Sequence, residues 1–197
     1  MTLRTATISR TTGETSIELS ITLAPGEITA ETGVLFLDHM VHALFKHARW
    51  SIVLKASGDS AMDPHHTVED VGIAIGQALR IALGDRKGID RYGTAYAPLD
   101  EALARVVVDV SGRPFLEFVA TMPEPVIGVD FATSLVEEFW RSVSMNAGLT
   151  MHIDLLRARN SHHAAEAIFK AAAVALRTAV RIDGSTDDVP STKGMLG

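Results

Sequence analysis

The pattern His-His-x-x-Glu occurs twice in the chain, at residues 65–69 and at residues 162–166. Gly-Val-Leu-Phe at 33–36 matches Gly-Val-Asp-Phe at 128–131, and Leu-Phe-Lys at 44–46 matches Phe-Trp-Arg at 139–141. In each of these two matches the paired segments are 95 residues apart, and the two histidine pairs are 97 residues apart. Matches in a fixed order at a nearly constant spacing are typical of a duplicated unit. The sequence predicts two similar halves, residues 1–88 and 89–197, in one compact unit; chance similarity between helical segments is the alternative.

Hydrophobic periodicity predicts strands followed by helices in each half. Apolar residues at every second position predict a strand over 15–23, and a spacing of three and four predicts helices over 34–47 and 66–83. Further strands are predicted at 51–56, 91–97, 103–110 and 115–121, followed by a helix, a strand and a helix. This order favours an α+β fold made of a duplicated unit, a β-sheet with two helices, whose helix layers lie between the two sheets.

Composition excludes several classes of protein. The chain has no cysteine, which excludes disulfides, thiolate zinc sites, iron–sulfur clusters and a cysteine nucleophile. The net charge of −6, without a basic run, argues against nucleic acid or an anionic membrane surface as the main partner. No segment approaches the roughly 20 apolar residues of a membrane span, and the first residues lack the apolar core of a signal peptide. We therefore expect a cytoplasmic protein.

The histidines and the glutamate of each motif form a triad, and both triads have the same helical geometry. The triads are His65, His66 and Glu69, and His162, His163 and Glu166. Each residue of a helix advances about 100°, so both triads lie about 120° to 220° from the apolar stripes centred on Val71 and Ile168. Adjacent histidines diverge too far to bind one ion readily. The two triads therefore predict two metal ions, each bound by one histidine from each half and one glutamate. His39, which lies off the apolar stripe of its own helix, is the further candidate ligand.

Imidazole and carboxylate ligands without sulfur suit Mn, Fe, Co, Ni or Zn, and a six-coordinate mixture favours Mn. A solvated helix start is the alternative interpretation of each triad, since a glutamate in a first turn also complements the helix dipole. Two triads with identical spacing and phase favour metal binding over that alternative.

Five further motifs accompany the triads: Arg-Thr-Thr-Gly-Glu-Thr at 10–15, Phe-Leu-Asp-His-Met at 36–40, Arg-Tyr-Gly at 91–93, Asp-Val-Ser-Gly-Arg-Pro at 109–114 and Pro-Ser-Thr-Lys-Gly at 190–194. With these motifs the chain resembles the imidazoleglycerol-phosphate dehydratase family. The resemblance covers nearly the whole chain in the order of the family. The resemblance implies an enzyme of histidine biosynthesis that removes water from imidazole glycerol phosphate to give imidazole acetol phosphate. It also implies two Mn²⁺ ions per active site, and trimers that assemble into a 24-subunit shell with sites between subunits.

The resemblance also implies roles for individual residues. The metal ligands are His39, His65, His66, Glu69, Glu138, His162, His163 and Glu166, and the catalytic carboxylates are Glu14, Glu69 and Glu166. Glu14 is the candidate acid or base; a surface carboxylate is the alternative. Substrate contacts are assigned to Glu14, His39, Arg91, Arg113, Lys170, Ser191 and Lys193, where the arginines and the C-terminal tail would bind the phosphate.

One residue departs from the family pattern. The chain has Val-Glu-Glu-Phe at 136–139 where the family pattern has a metal-binding histidine, so Glu138 is expected to act as the ligand, one helical turn beyond the position that matches His39. His152 is expected in the core, and His42 and His47 either line the pocket or lie on the surface. Two other functions remain open: a structural or storage protein whose triads join subunits, and a metal-binding, shell-forming paralogue with altered or lost catalysis.

Overall fold

The computed structural model describes residues 3–58, 63–182, 184, 188–192, 194 and 196. In the first half, the elements are β1 Thr5–Thr11, β2 Thr15–Thr22, β3 Ile28–Glu31, α1 Leu35–Ala48, β4 Ser51–Gly58 and α2 His65–Leu83. In the second half, they are β5 Tyr92–Leu99, β6 Ala102–Asp109, β7 Phe115–Val119, β8 Val126–Ile127, β9 Phe131–Ala132, α3 Ser134–Ala147, β10 Thr150–Arg157 and α4 Ser161–Ala179. Within these ranges, no helix combines the length and apolar character needed to cross a bilayer.

The two four-stranded sheets have the same topology. Their orders are β1-β2-β4-β3 and β5-β6-β10-β7, and in each sheet only the last strand is parallel to its neighbour. The predicted α+β fold with a duplicated sheet-and-helix unit is therefore confirmed. Strands β1 and β3 were not predicted, because only Ala6 of β1 is buried and β3 has four residues. Strand β1 alternates in exposure, but its inward face carries only two apolar residues, Ala6 and Ile8, and β3 shows no alternation.

The spacing between equivalent elements of the halves is not constant, so the 95-residue match is wrong as a structural alignment. Strands β5 and β6 begin 87 residues after β1 and β2, whereas α3 and β10 begin 99 residues after α1 and β4. Helices α1 and α3 both have 14 residues, and a left-handed residue, Arg49 or Gly148, ends each of them. Phe131, which the 95-residue spacing matched to Phe36 of α1, lies in β9. When α3 is aligned with α1 at the spacing of 99 residues, Glu138 matches His39 itself. The prediction that Glu138 lies one helical turn beyond that match is wrong.

The helices form the central layers between the sheets. Helices α1 and α2 pack on the first sheet and α3 and α4 on the second, and the layers meet where α2 contacts α3 and α1 contacts α4. Helices α2 and α3 approach closely because Gly72 and Gly76 face α3. A Cβ atom at Gly76 would lie 2.7 Å from the Val143 carbonyl oxygen. The buried apolar side chains of both halves consequently form a single core.

Candidate metal and active site

Three of the predicted ligands meet where the first two turns of α1 and of α4 lie side by side. His39 Nε2 lies 3.2 Å and His162 Nε2 lies 3.3 Å from the same oxygen of Glu166, Oε2. The two rings stand 5.6 Å apart between centroids, and Phe36 packs against both of them. One histidine comes from the first half of the chain and the other from the second. The three ligand atoms lie within 4.8 Å of one another, a spacing that one metal ion can bridge.

The local sequence determines where α4 begins and thus where its histidines lie. The Asn160 side chain caps the helix by accepting a hydrogen bond of 3.1 Å from the His163 N–H. Ser161 is buried, and its N–H donates to the Glu124 carboxylate at 2.6 Å. From this anchored start His162 turns toward His39, whereas His163 Nδ1 lies 2.8 Å from Glu101 Oε2. The two adjacent histidines therefore diverge, as the helical geometry predicts.

Glu166 is held as a carboxylate. Burial alone would raise its pKa. The pKa is nevertheless lowered, because Lys170 Nζ lies 2.6 Å from Oε1 and His39 forms a hydrogen bond with the carboxylate. One oxygen thus pairs with Lys170 and the other faces the two imidazoles. The arrangement provides an anionic oxygen between two nitrogen donors, which is the environment that a divalent cation requires.

A cavity of about 520 Å³ opens over this cluster. Its lining includes His39, His162, Phe36, Pro64 and Ile127. The volume falls within the range of roughly 300–1,000 Å³ that is typical of small-molecule sites. Two apolar side chains at the rim, Leu35 and Val129, are 85% and 96% exposed.

The first-half triad lies beside the turn that carries Glu14. His66 Nδ1 is 3.6 Å from Glu14 Oε2, and the Glu14 side chain is 55% exposed. The turn is fixed to α2 through Asp70, which accepts hydrogen bonds from Thr15 at 2.5 Å and from Arg10 at 2.6 Å. Burial would raise the pKa of Asp70, but these two donors outweigh burial and lower the pKa. Glu14 is thereby held near the triad without being part of the anchor.

Three other predicted ligands lie outside the clusters of potential ligands in the described part of the chain. His65, Glu69 and Glu138 are half-buried near the starts of α2 and α3. None of them belongs to either three-residue cluster of potential ligands found in the described part of the chain. Those clusters are His39, His162 and Glu166, and Asp100, Glu101 and His163.

Two of the predicted phosphate ligands, Arg91 and Arg113, lie beside Asp109. Arg91 donates from Nε and Nη2 to the two carboxylate oxygens of Asp109, at 2.7 and 3.1 Å, and from Nη1 to the Pro190 carbonyl at 2.8 Å. These bonds to Asp109 raise the pKa of Arg91. Arg113 Nη2 lies 3.9 Å from Asp109, and the Arg113 side chain is 68% exposed. Ser191 follows Pro190, whereas Lys193 lies outside the described residues.

The arginines beside Asp109 and the cluster of His39, His162 and Glu166 lie at opposite ends of α4. The Arg91 N–H donates to the carbonyl of Ala179, the last residue of α4, whereas His162 is in its first turn. Seventeen residues of helix separate the two positions, a distance of about 26 Å at 1.5 Å per residue. One small substrate cannot touch both sets within a single copy of the chain.

The family model of imidazoleglycerol-phosphate dehydratase matches residues 32–176, which include both histidine motifs. The chain belongs to the imidazoleglycerol-phosphate dehydratase family. The dehydratase of Rhodopseudomonas palustris is 54% identical to it over 197 residues, covering 99% of this chain and 100% of that protein. The dehydratase of Hydrogenovibrio crunogenus is 52% identical over 196 residues, covering 98% and 100%. The chain is accordingly an enzyme of the hydro-lyase class.

Solved dehydratase structures have the same fold. The enzyme from Staphylococcus aureus superimposes with a TM-score of 0.81 at 46% identity, covering 89% of this chain and 97% of that one. The enzyme from Pyrococcus furiosus, solved in complex with (S)-C348, gives a TM-score of 0.82 at 36% identity, covering 96% and 100%.

Sequence reasoning gave no role to two carboxylates: Asp109, which begins the motif at 109–114, and Glu101. Asp109 accepts two hydrogen bonds from Arg91, whose remaining nitrogen donates to the tail at Pro190, and Glu101 contacts His163. In the structure Glu101 directly precedes β6, as Glu14 directly precedes β2, but the strand predicted at 103–110 begins one residue late and hides this match. The expectation for His152 is wrong, because this residue is exposed and contacts Phe115.

Proposed function

We propose that this chain dehydrates imidazole glycerol phosphate to imidazole acetol phosphate in histidine biosynthesis, with two Mn²⁺ ions per active site. The cluster of His39, His162 and Glu166 carries the proposal, because it joins nitrogen and oxygen donors from both halves around one point. Membership of the dehydratase family supports the reaction and the substrate.

The residues present fit a divalent metal. Two imidazole nitrogens and an ionised carboxylate lie within bridging distance, and the chain has no thiolate to favour a softer ion. Five further candidate ligands remain for the two ions: His65, His66, Glu69, Glu138 and His163. Bound Mn²⁺ would supply Lewis acidity toward the imidazole ring of the substrate and would hold the ring in place.

Other side chains of the chain serve the reaction directly. The reaction removes a proton from the hydroxyl-bearing carbon and hydroxide from the carbon next to the ring, and the resulting enol becomes the ketone. Glu14 is the candidate to accept or return the proton at its carboxylate, since it is held near the triad yet is largely exposed to a substrate. Glu69 and Glu166 would hold the metal ions as carboxylate ligands.

The geometry of α4 supports an active site shared between copies of the chain. The phosphate ligands lie about 26 Å along α4 from His162, so a neighbouring copy must supply one of the two sets. We therefore infer a homo-oligomer, and we propose the trimer-based, 24-subunit shell of the family as its form. A cytoplasmic location accords with the proposed biosynthetic role.

Metal removal and replacement test the proposed function. Protein stripped of metal is expected to lose turnover of imidazole glycerol phosphate, and added Mn²⁺ is expected to restore it, as measured by formation of the acetol phosphate. Full turnover by metal-free protein would contradict the metal proposal. Two bound ions per subunit without turnover would favour the shell-forming paralogue, and Glu138→His would then be the next variant.

A second prediction separates substrate binding from metal binding. Arg113→Ala is expected to raise KM about 10- to 100-fold, because one charge-assisted hydrogen bond contributes roughly 1.5–3 kcal/mol and 1.36 kcal/mol corresponds to a factor of ten. Steady-state kinetics gives KM, and elemental analysis should show unchanged metal content. Lys55→Ala, which removes another largely exposed cation, serves as the control. Loss of metal from the Arg113 variant would sink the assignment of this residue to the phosphate.

A further inference from the structure

The two halves of the chain place a glutamate at the same position, and the two glutamates differ in their contacts. Glu14 directly precedes β2, and Glu101 directly precedes β6, which begins 87 residues later. Each glutamate lies beside the second histidine of the nearby pair: Glu14 beside His66 and Glu101 beside His163. The duplication therefore allows a direct comparison of the two carboxylates.

Glu101 is held much more tightly than Glu14. Its Oε2 lies 2.8 Å from His163 Nδ1, and its Oε1 accepts a hydrogen bond of 3.3 Å from the Arg159 N–H. The Glu101 side chain is 18% exposed. By contrast, Glu14 is 55% exposed and lies 3.6 Å from His66 Nδ1, which is too long for a hydrogen bond.

The difference follows from how each turn is anchored. In the first half, Asp70 holds the turn before β2 through Arg10, Thr12 and Thr15. The equivalent positions of the second half carry only apolar side chains, which are Ala97, Leu99, Ala102 and Ala167. The turn before β6 has no such network, and Glu101 itself connects that turn to α4.

The bond to Glu101 determines which nitrogen of His163 carries a proton. A carboxylate only accepts hydrogen bonds, so in the neutral ring Nδ1 must be the donor and Nε2 keeps its lone pair. Within the described residues Nε2 has no hydrogen-bond partner, and the His163 side chain is 31% exposed. A histidine that ligates through Nε2 requires this tautomer and a fixed ring orientation.

We propose that Glu101 is the positioning residue of His163: it fixes the Nδ1–H tautomer and presents Nε2 as a ligand, whereas its counterpart Glu14 stays free for proton transfer. The metal part of this inference rests on the proposed function. The tautomer does not, because the contact between Glu101 and His163 exists in the chain alone.

The tautomer is tested first, in metal-free protein above the pKa of histidine. Two-bond ¹H–¹⁵N correlation spectra, assigned with His163→Gln, are expected to show the proton of His163 on Nδ1. Glu101→Ala is expected to shift the population to Nε2–H, and Glu101→Gln is expected to keep Nδ1–H because its amide oxygen still accepts. Glu117→Gln, which neutralises an exposed carboxylate of β7, is the control and should leave the His163 spectrum unchanged. A wild-type proton on Nε2, or identical spectra of the wild-type and Ala proteins, would overturn the proposal.

Metal affinity provides the second readout. Titration with Mn²⁺ is expected to show a loss of about 10- to 100-fold for Glu101→Ala, with affinity largely rescued in Glu101→Gln. If Glu101→Gln removed binding as completely as His163→Gln, Glu101 would itself be a ligand, and the positioning role would be wrong. Unchanged affinity in Glu101→Ala would also overturn it. Wild-type protein that shows the Nδ1–H tautomer but binds no Mn²⁺ would instead refute the metal part of the proposed function.

Discussion

Glu166→Gln is expected to reduce turnover about 10³-fold and to deplete the protein of metal. The Glu166 carboxylate faces His39 and His162 through one oxygen and Lys170 through the other. The amide has no negative charge and brings an NH₂ group toward either the imidazoles or the ammonium. A bound metal supplies several kcal/mol of transition-state stabilisation, and a loss of about 4 kcal/mol corresponds to roughly three factors of ten.

The measurements are kcat with saturating substrate and Mn²⁺, and metal content after dialysis. Glu117→Gln, which neutralises an exposed carboxylate of strand β7, is the control and should behave as the wild type. If Glu166→Gln kept both its metal and its turnover, the cluster of His39, His162 and Glu166 would not be the metal site.

Gly93→Ala is expected to prevent stable folding. Gly93 lies in β5 against α4, and a Cβ atom there would lie 1.9 Å from the carbonyl oxygen of Ala175 and 2.8 Å from its carbonyl carbon. Both atoms belong to the backbone of α4, so no side-chain rotation can relieve the clash. We expect a loss of about 4 kcal/mol or more in the free energy of unfolding, at the upper end of what overpacking costs.

Urea denaturation and the yield of soluble protein would measure this effect. Gly13→Ala is the matched control, because no atom lies within 4 Å of the added Cβ there. A Gly93→Ala protein with wild-type stability would show that β5 and α4 are less closely packed than the structure has them.

The sequence predicts elements well where burial is periodic. Strand β2 is buried at every second residue, including Leu19 and Ile21, and α2 buries Val71, Ile75 and Leu79. The predicted ends of both elements therefore differ from the observed ends by no more than one residue. Strand β1 exposes most of its residues, and it forms because β2 offers it a complete antiparallel partner. The apolar pattern of β1 ends after Ile8, because Arg10 occupies the next position on the same face, and pairing with β2 cannot be read from that pattern.

The candidate site divides in the same way. Helical phase was sufficient to predict that His162 and His163 diverge, because phase depends only on spacing within one helix. The partners across the structure, Glu101 for His163 and Asp109 for Arg91, depend on how strands and helices pack. The alignment of the two halves also required the structure, since the insertion that contains β8 and β9 changes their spacing.

The shared strand order of the two sheets has a consequence for specialisation. If a single half existed as a free chain, it would have to dimerise to cover its helices, and both copies would carry one and the same residue before the second strand. When the two halves are joined in one polypeptide, the residue before the second strand can differ between them. Glu14 and Glu101 can therefore differ in their surroundings, one loosely held and one fixed, although the backbone places them alike.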